Sequence, residues 1–168
     1  MANLHQIKVS DQANMIQGVL ANWATVRGGS VVIASNLRDL WQQASIQSQA
    51  PRILICFNGA RPRGSFSVSN VLHREDRDWT VAVTRGRGFN ANRGDSLSQT
   101  VGNAEPFYDS VEQVRDLCRS IADLSAEYPT PDYKGIKPMQ MGNLVIDGYI
   151  IEFSTANDIP SPVLITTT

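Results

Sequence analysis

The side chains best equipped for chemistry are few and scattered. His5 and His73 are the chain's histidines, and Cys56 and Cys118 its cysteines. A metal site gathers such ligands at short, repeated spacings, and neither histidine has a ligand-spaced partner. His73 stands beside Arg74 and Glu75, the setting of a solvated imidazole in a charged turn. Both cysteines sit in apolar stretches, where burial keeps a thiol protonated and inert, so reduced, buried thiols in a cytoplasmic protein are expected. Neither Gly-x-Ser-x-Gly nor the phosphate-cradling Gly-x-x-x-x-Gly-Lys occurs. Arg85-Gly86-Arg87-Gly88 contains Gly-x-Gly, but no third glycine follows at the dinucleotide spacing and no helix starts there. The sequence therefore points away from catalysis and from any cofactor or metal, with a small enzyme of dispersed site residues as a distant alternative.

Binding chemistry is better represented. From Arg52 to Arg93 eight arginines (Arg52, Arg61, Arg63, Arg74, Arg77, Arg85, Arg87, Arg93) stand against three acids, a balance of +5. From Gly94 to Thr168 eleven acids stand against four bases, a balance of −7. The overall charge of −1 hides this split. A chain with one positive and one negative surface can attract another copy, or a polyanion on one side, unless folding mixes the two signs. Arg85, Gly86, Arg87, Gly88 and Phe89 resemble an RNA-binding Arg/Gly segment, in which arginines neutralise phosphates and an aromatic stacks on a base. One short occurrence also fits a loop kept soluble by its arginines. Arg93-Gly94-Asp95 spells an integrin-binding tripeptide, which chance produces readily, and nothing else in the chain looks extracellular.

The elements that position these residues follow from periodicity. A chain of 168 residues, 42% hydrophobic and 18% charged, can bury roughly 70% of its unfolded surface and is expected to form one domain over residues 1–168. No apolar run approaches the length of a membrane helix, and Met1 to His5 lacks the pattern of a signal peptide. Ser10 to Arg27 reads as an amphipathic helix, with Met15, Ile16, Val19, Leu20 and Trp23 on one side and Gly28-Gly29 as the stop. Val31 to Ile33 suits a strand, and Asn36 to Gln47 a second helix. Ile53 to Phe57 is apolar on both faces, which calls for a central strand. Asn58-Gly59 reads as a turn, Phe66 to Leu72 as a strand, His73 to Asp78 as a charged turn and Trp79 to Val83 as a third strand, together a meander. Arg85 to Pro106 is a polar loop longer than compact domains usually carry, expected to gain order on a neighbour. Asp109 to Leu124 has a continuous apolar stripe through Val111, Val114, Leu117, Cys118 and Ile121, with capping-box spacing at Asp109/Glu112 or Ser110/Gln113. Ile136 to Met141 and Val145 to Phe153 close the sheet around Gly142-Asn143, and Thr155 to Thr168 forms an extended tail that includes Val163-Leu164-Ile165. The expected class is α/β in the α+β sense: a largely antiparallel mixed sheet packed by two or three helices in a single layer on one face.

Trp79-Thr80-Val81-Ala82-Val83, the loop after it, Val111-Glu112-Gln113-Val114 and the final strand Gly148-Tyr149-Ile150-Ile151-Glu152-Phe153 carry a resemblance in the order of elements. Over Ile53 to Phe153 the layout resembles the tail terminator or tail-completion (neck) proteins of long-tailed bacteriophages. The resemblance implies a subunit of a six-membered ring that halts growth of the tail tube and joins the tail to the head. It implies tail tube and neck or head-completion proteins as partners, and a virion location at the tail–neck junction after synthesis in the host cytoplasm. No catalytic residue is needed for that role. Under this reading Arg85, Arg87, Phe89, Arg93, Glu105, Asp109, Glu112 and Asp116 are the candidates for contact with a neighbour or the tail tube. Arg74, Arg77, Arg85, Arg87 and Arg93 are alternatively candidates to line the ring's hole and touch passing DNA without reading it. The competing class is a small nucleic-acid-binding module that uses the arginine-rich β-region and loop.

Overall fold

Ile53, Leu54, Ile55 and Cys56 are all fully buried, so the strand that carries them has an apolar layer on either side. The computed structural model describes residues 8–46, 48, 50–63, 72–86, 107–121 and 131–160. Element order is α1 (Val9–Val26), β1 (Ser30–Ala34), α2 (Leu37–Ser45), β2 (Arg52–Arg63), β3 (Leu72–Thr84), α3 (Phe107–Ser120), β4 (Asp132–Met141) and β5 (Leu144–Pro160). The five strands form one sheet in the order β1-β2-β3-β5-β4. β1 runs parallel to β2 and every other pairing is antiparallel. The expected mixed, largely antiparallel sheet packed by helices is therefore the fold.

The helices do not form one layer. Ile16, Leu20 and Trp23 of α1 and Phe107, Val111 and Val114 of α3 pack with Ile53, Ile55, Val81, Val83, Ile151 and Phe153 on one face. Leu40 and Ala44 of α2 pack with Leu54, Cys56, Ala82 and Ile150 on the other. Successive residues of a strand point to opposite faces, so a strand apolar at every position needs cover on both. That property of Ile53 to Phe57 requires the second layer, and a single helical layer on one face is corrected accordingly.

Helix ends follow from local chemistry. α1 closes with Gly28 at φ +67°, and Gly29 N–H donates back to Ala24 O at 2.8 Å, a left-handed stop that favours glycine. At α2, Asn36 Oδ1 accepts from Asp39 N–H at 2.8 Å, while Asp39 Oδ2 accepts from Ser35 N–H at 2.8 Å. The hydrogen bond from the Ser35 backbone, followed by that from its hydroxyl, holds the Asp39 carboxyl below its ordinary pKa. α3 begins at Phe107, two residues before the expected start. Asp109 then lies in the first turn, and Ser110 is buried inside the helix and does not serve as its cap.

The middle of the chain also departs from expectation. His73 to Asp78 is no turn: it is the first half of β3, continuous with Trp79 to Thr84 and paired with β2 and β5. Asn58-Gly59 is a bulge inside β2, with Gly59 at φ +116°. Residues 53–57 and 79–83 pair directly with each other as parts of a long β2–β3 pair. Of the charges that suggest a turn, Arg77 pairs with Glu75, and Asp78 with Arg61 and Lys134. Phe66 to Val71, Arg87 to Pro106, Ala122 to Thr130 and Ser161 to Thr168, with the strand, loop and tail features expected there, lie outside the described residues.

Candidate assembly surface

β2, β3 and β5 continue well past the apolar core as a three-stranded extension, made of Gly59–Arg63, Leu72–Asp78 and Ser154–Pro160. The bulge at Asn58-Gly59 decides which side chains share a face there. Before it, Ile53, Ile55 and Phe57 are opposite Val83, Val81 and Trp79; after it, Gly59 and Arg61 are opposite Asp78 and Asp76. A bulge adds one residue and so reverses the alternation. Arg61 is thereby turned away from the α1/α3 core to the α2 side of the sheet.

On that side Asp78 is the hub. Arg61 donates through Nε and Nη2 to its two oxygens at 3.0 and 3.2 Å. Lys134 and Ser154 donate to Oδ1, Ser154 at 2.6 Å. Partial burial opposes ionisation, but the hydrogen bonds from Lys134, Ser154 and Arg61 outweigh it and hold the Asp78 pKa at about 2. Three strands, β2, β3 and β4, and the hydroxyl of a fourth, β5, are tied at one carboxylate. Nearby, Asn58 bonds Thr80, and Lys137 pairs with Glu152 at 2.9 Å.

The opposite face of the extension is closed by α1. Arg77 is buried, with Nε on Glu75 at 2.9 Å and Nη1 on Gln12 Oε1 at 3.1 Å. Gln12 also donates to Thr155 Oγ1 at 2.8 Å, which accepts from Trp79 Nε1 at 3.1 Å. This chain of bonds caps the apolar core with buried, satisfied polar groups, as a low-dielectric site requires.

The arginines proposed for a positive surface are accordingly divided. Arg77 and Arg85 are each 6% exposed. Arg85 lies against the Phe107 ring at 5.7 Å and pairs with Asp147 at 3.2 Å. Its backbone N–H donates to Asp147 O, which continues the β3–β5 pairing one residue further. Alternation could have found both: Arg77, Trp79, Val81, Val83 and Arg85 share a face once residues 72–84 are one strand. Arg74 is a β3 residue opposite Arg63 and Asp158. Arg87, Phe89, Arg93 and Glu105 lie outside the described residues. On α3, Asp109 and Asp116 are exposed, and Glu112 is half-buried. Arg115 ties Glu112 at 3.2 Å to Asp116 at 2.9 Å.

Sequence reasoning missed Asp78, Lys134, Ser154 and Gln12, whose roles depend on which strands become neighbours. Among the described residues no cluster of three or more His, Cys, Asp or Glu could hold a metal ion. No helix among them is long and apolar enough to cross a membrane. Burial pushes the Cys118 thiol up to about 12; burial, then the Asp39 carboxylate, also raises that of Cys56.

No family model matches the chain, and no curated protein matches it. Among solved structures it is similar to the sheath/tube terminator of an extracellular contractile injection system (PVC) in the extended state, with a TM-score of 0.47 and 12% identity. The match covers 98% of this chain but spans only 64% of that one, and no residue, partner or role is carried over from it.

Proposed function

We propose that this chain is a structural assembly subunit, a ring-forming tail terminator that ends growth of a tail tube and joins it to the head–neck. The observation that carries the reading is the extension of β2, β3 and β5. A sheet gains stability by burying an apolar face, yet these strands continue into a region where Arg61, Asp76, Asp78 and Ser154 occupy one face and Glu75, Arg77, Thr155 and Asn157 the other. The extension is held by its ladder, its ion pairs and the hydrogen bonds of Gln12 on α1 to Arg77 and Thr155, with little apolar burial. Such an arm adds little to the core of its own subunit and much to the reach of the subunit toward a neighbour. The resemblance over Ile53 to Phe153 supports the same role, since its elements are β2, β3, α3, β4 and β5 in that order. On this reading the ring is six-membered, its partners are tail tube and neck proteins, and it resides in the virion at the tail–neck junction.

The competing nucleic-acid module needs arginines presented on the sheet. Arg77 and Arg85 are instead buried against Glu75 and Asp147. Negative-stain electron microscopy and mass measurement of the purified chain, alone and with tail tubes, test the proposal. Closed rings with a central hole, free or capping tube ends, are expected. A monomer that ignores tubes and binds short DNA with a steep salt dependence would replace the proposal with the module.

A further inference from the structure

The two edges of the sheet are built differently. β4, at one edge, carries Pro138, which has no N–H to offer, and Lys134 and Lys137. Its pairing with β5 shifts register between Tyr133 and Gly135 and again between Pro138 and Gln140. Proline, lysine and bulges are the devices by which edge strands are kept from pairing with other chains. β1, at the other edge, has none of them. Its sequence is Ser30-Val31-Val32-Ile33-Ala34, with Ile33 39% exposed and Val31 and Val32 half-buried. Beside it runs a cavity of about 300 Å³, floored by Val31 and walled by Asn14, Gly18, Ala21 and Thr25 of α1. Gln17 Nε2 donates to Val31 O at 3.3 Å, a long side-chain bond of the kind an incoming backbone N–H can replace.

The chain's own C-terminal run, Val163-Leu164-Ile165-Thr166-Thr167, has the β-branched composition of a strand. It cannot reach its own β1. Ala34 is level with Cys56, Thr80 and Glu152 across the sheet, whereas β5 leaves the ladder at Pro160, opposite Leu72. At about 3.4 Å per residue, Pro160 lies roughly 27 Å further along the strands than Glu152, and the four strand spacings from β5 to the free side of β1 add roughly 19 Å sideways. The path is about 33 Å, while the three residues from Pro160 to Val163 span at most about 10 Å. We propose that residues 163–167 of one copy add as a strand to the β1 edge of the next copy, with apolar side chains entering the cavity beside α1. Main-chain hydrogen bonds give such an addition its strength, and alternate side chains give its register. Because donor and acceptor are different surfaces of one chain, the contact is head-to-tail and propagates around a ring. The inference deepens the ring reading and rests on it.

Two full-length variants test it, Ile33→Cys and a cysteine at Val163, Leu164 or Ile165 in turn. Mixed and mildly oxidised, they are expected to give a covalent dimer of one chain of each kind for at least one position, and the double variant a ladder of multimers. Leu164→Pro in the full chain, with an unchanged thermal melt, should lower assembly at least tenfold. A cross-link formed within one chain of the double variant overturns the inference. So does an intact ring with no cross-link at any position, which leaves the ring reading standing. A protein that neither cross-links nor assembles, alone or on tail tubes, removes both.

Discussion

A single carboxylate shows how much of this protein depends on pairing that no local pattern announces. Asp78 was one of three acids in an arginine-rich stretch, and in the folded chain it gathers Arg61, Lys134 and Ser154. Its folded pKa of about 2 is below the ordinary 3.8, so the unfolded state binds the proton more readily. The ionised contacts therefore stabilise the fold fully above about pH 4, and the contribution is lost as pH falls toward 2. The group is partly open to water, so its worth is of the order of 1 kcal/mol. Asp78→Asn is expected to lower stability by that amount at pH 7, and the gap to the parent should close near pH 2. A constant gap in denaturant midpoints from pH 7 to pH 2 would show that packing, and not charge, is what the substitution removed. Charge counting along the chain located the arginines but not their destinations. Arg85 of the positive stretch meets Asp147 of the negative one because β3 and β5 are neighbours, so part of the apparent polarity is neutralised inside the subunit.

Elements with a strong period were legible, and those whose role is set by neighbours were not. The stripes of α1 and α3 and the two-faced apolarity of β2 translated directly into buried positions. Leu20 is fully buried and Leu117 only partly, although both belong to apolar stripes, because Leu117 lies at the margin of the α3 contact. Leu20→Ala is expected to cost about 2–5 kcal/mol, and Leu117→Ala clearly less. Equal losses in thermal or denaturant unfolding would mean that α3 sits deeper on the sheet than described. The first half of β3 reads as a turn in the sequence because Arg74 to Asp78 is continuously charged. Turn composition marks where a chain leaves a core, but here the sheet itself outlasts the core. Strand pairing supplied the hydrogen bonds and opposite charges supplied the partners, so local polarity lost to long-range pairing. The bulge at Gly59 was hidden for the same reason: an Asn-Gly pair suits a hairpin turn, and only the register with β3 shows that the strand continues.

At the scale of the whole molecule, the proposed ring asks whether charge or packing would set its contacts. Charges already paired within the subunit, such as Arg77 with Glu75 and Arg85 with Asp147, have less field to offer a neighbour. Asp109 and Asp116 are exposed on α3, seven residues apart and so on one side of the helix, with Asp116 already paired to Arg115 at 2.9 Å and Asp109 the larger source of field. If this side steers association, its effect is screened when the Debye length shrinks from about 10 Å at 0.1 M salt to about 3 Å at 1 M. Replacing both with lysine should then weaken assembly several-fold at low salt, while the parent at high salt approaches the variant. Asp109→Lys also opposes the dipole at the start of α3, a cost of about 0.3–1 kcal/mol that a thermal melt would register separately. The strand addition at β1 makes the contrary expectation for its own contact, since an apolar edge covered by backbone hydrogen bonds has little charge to screen. Sedimentation of parent and variant across salt therefore separates the contributions: a loss of assembly with salt in the parent, down to the level of the variant, assigns the interface to the acidic side of α3. Assembly that persists in both at every salt concentration assigns the contact to packing, as the strand addition proposed at β1 requires, and leaves the acidic side of α3 for another partner.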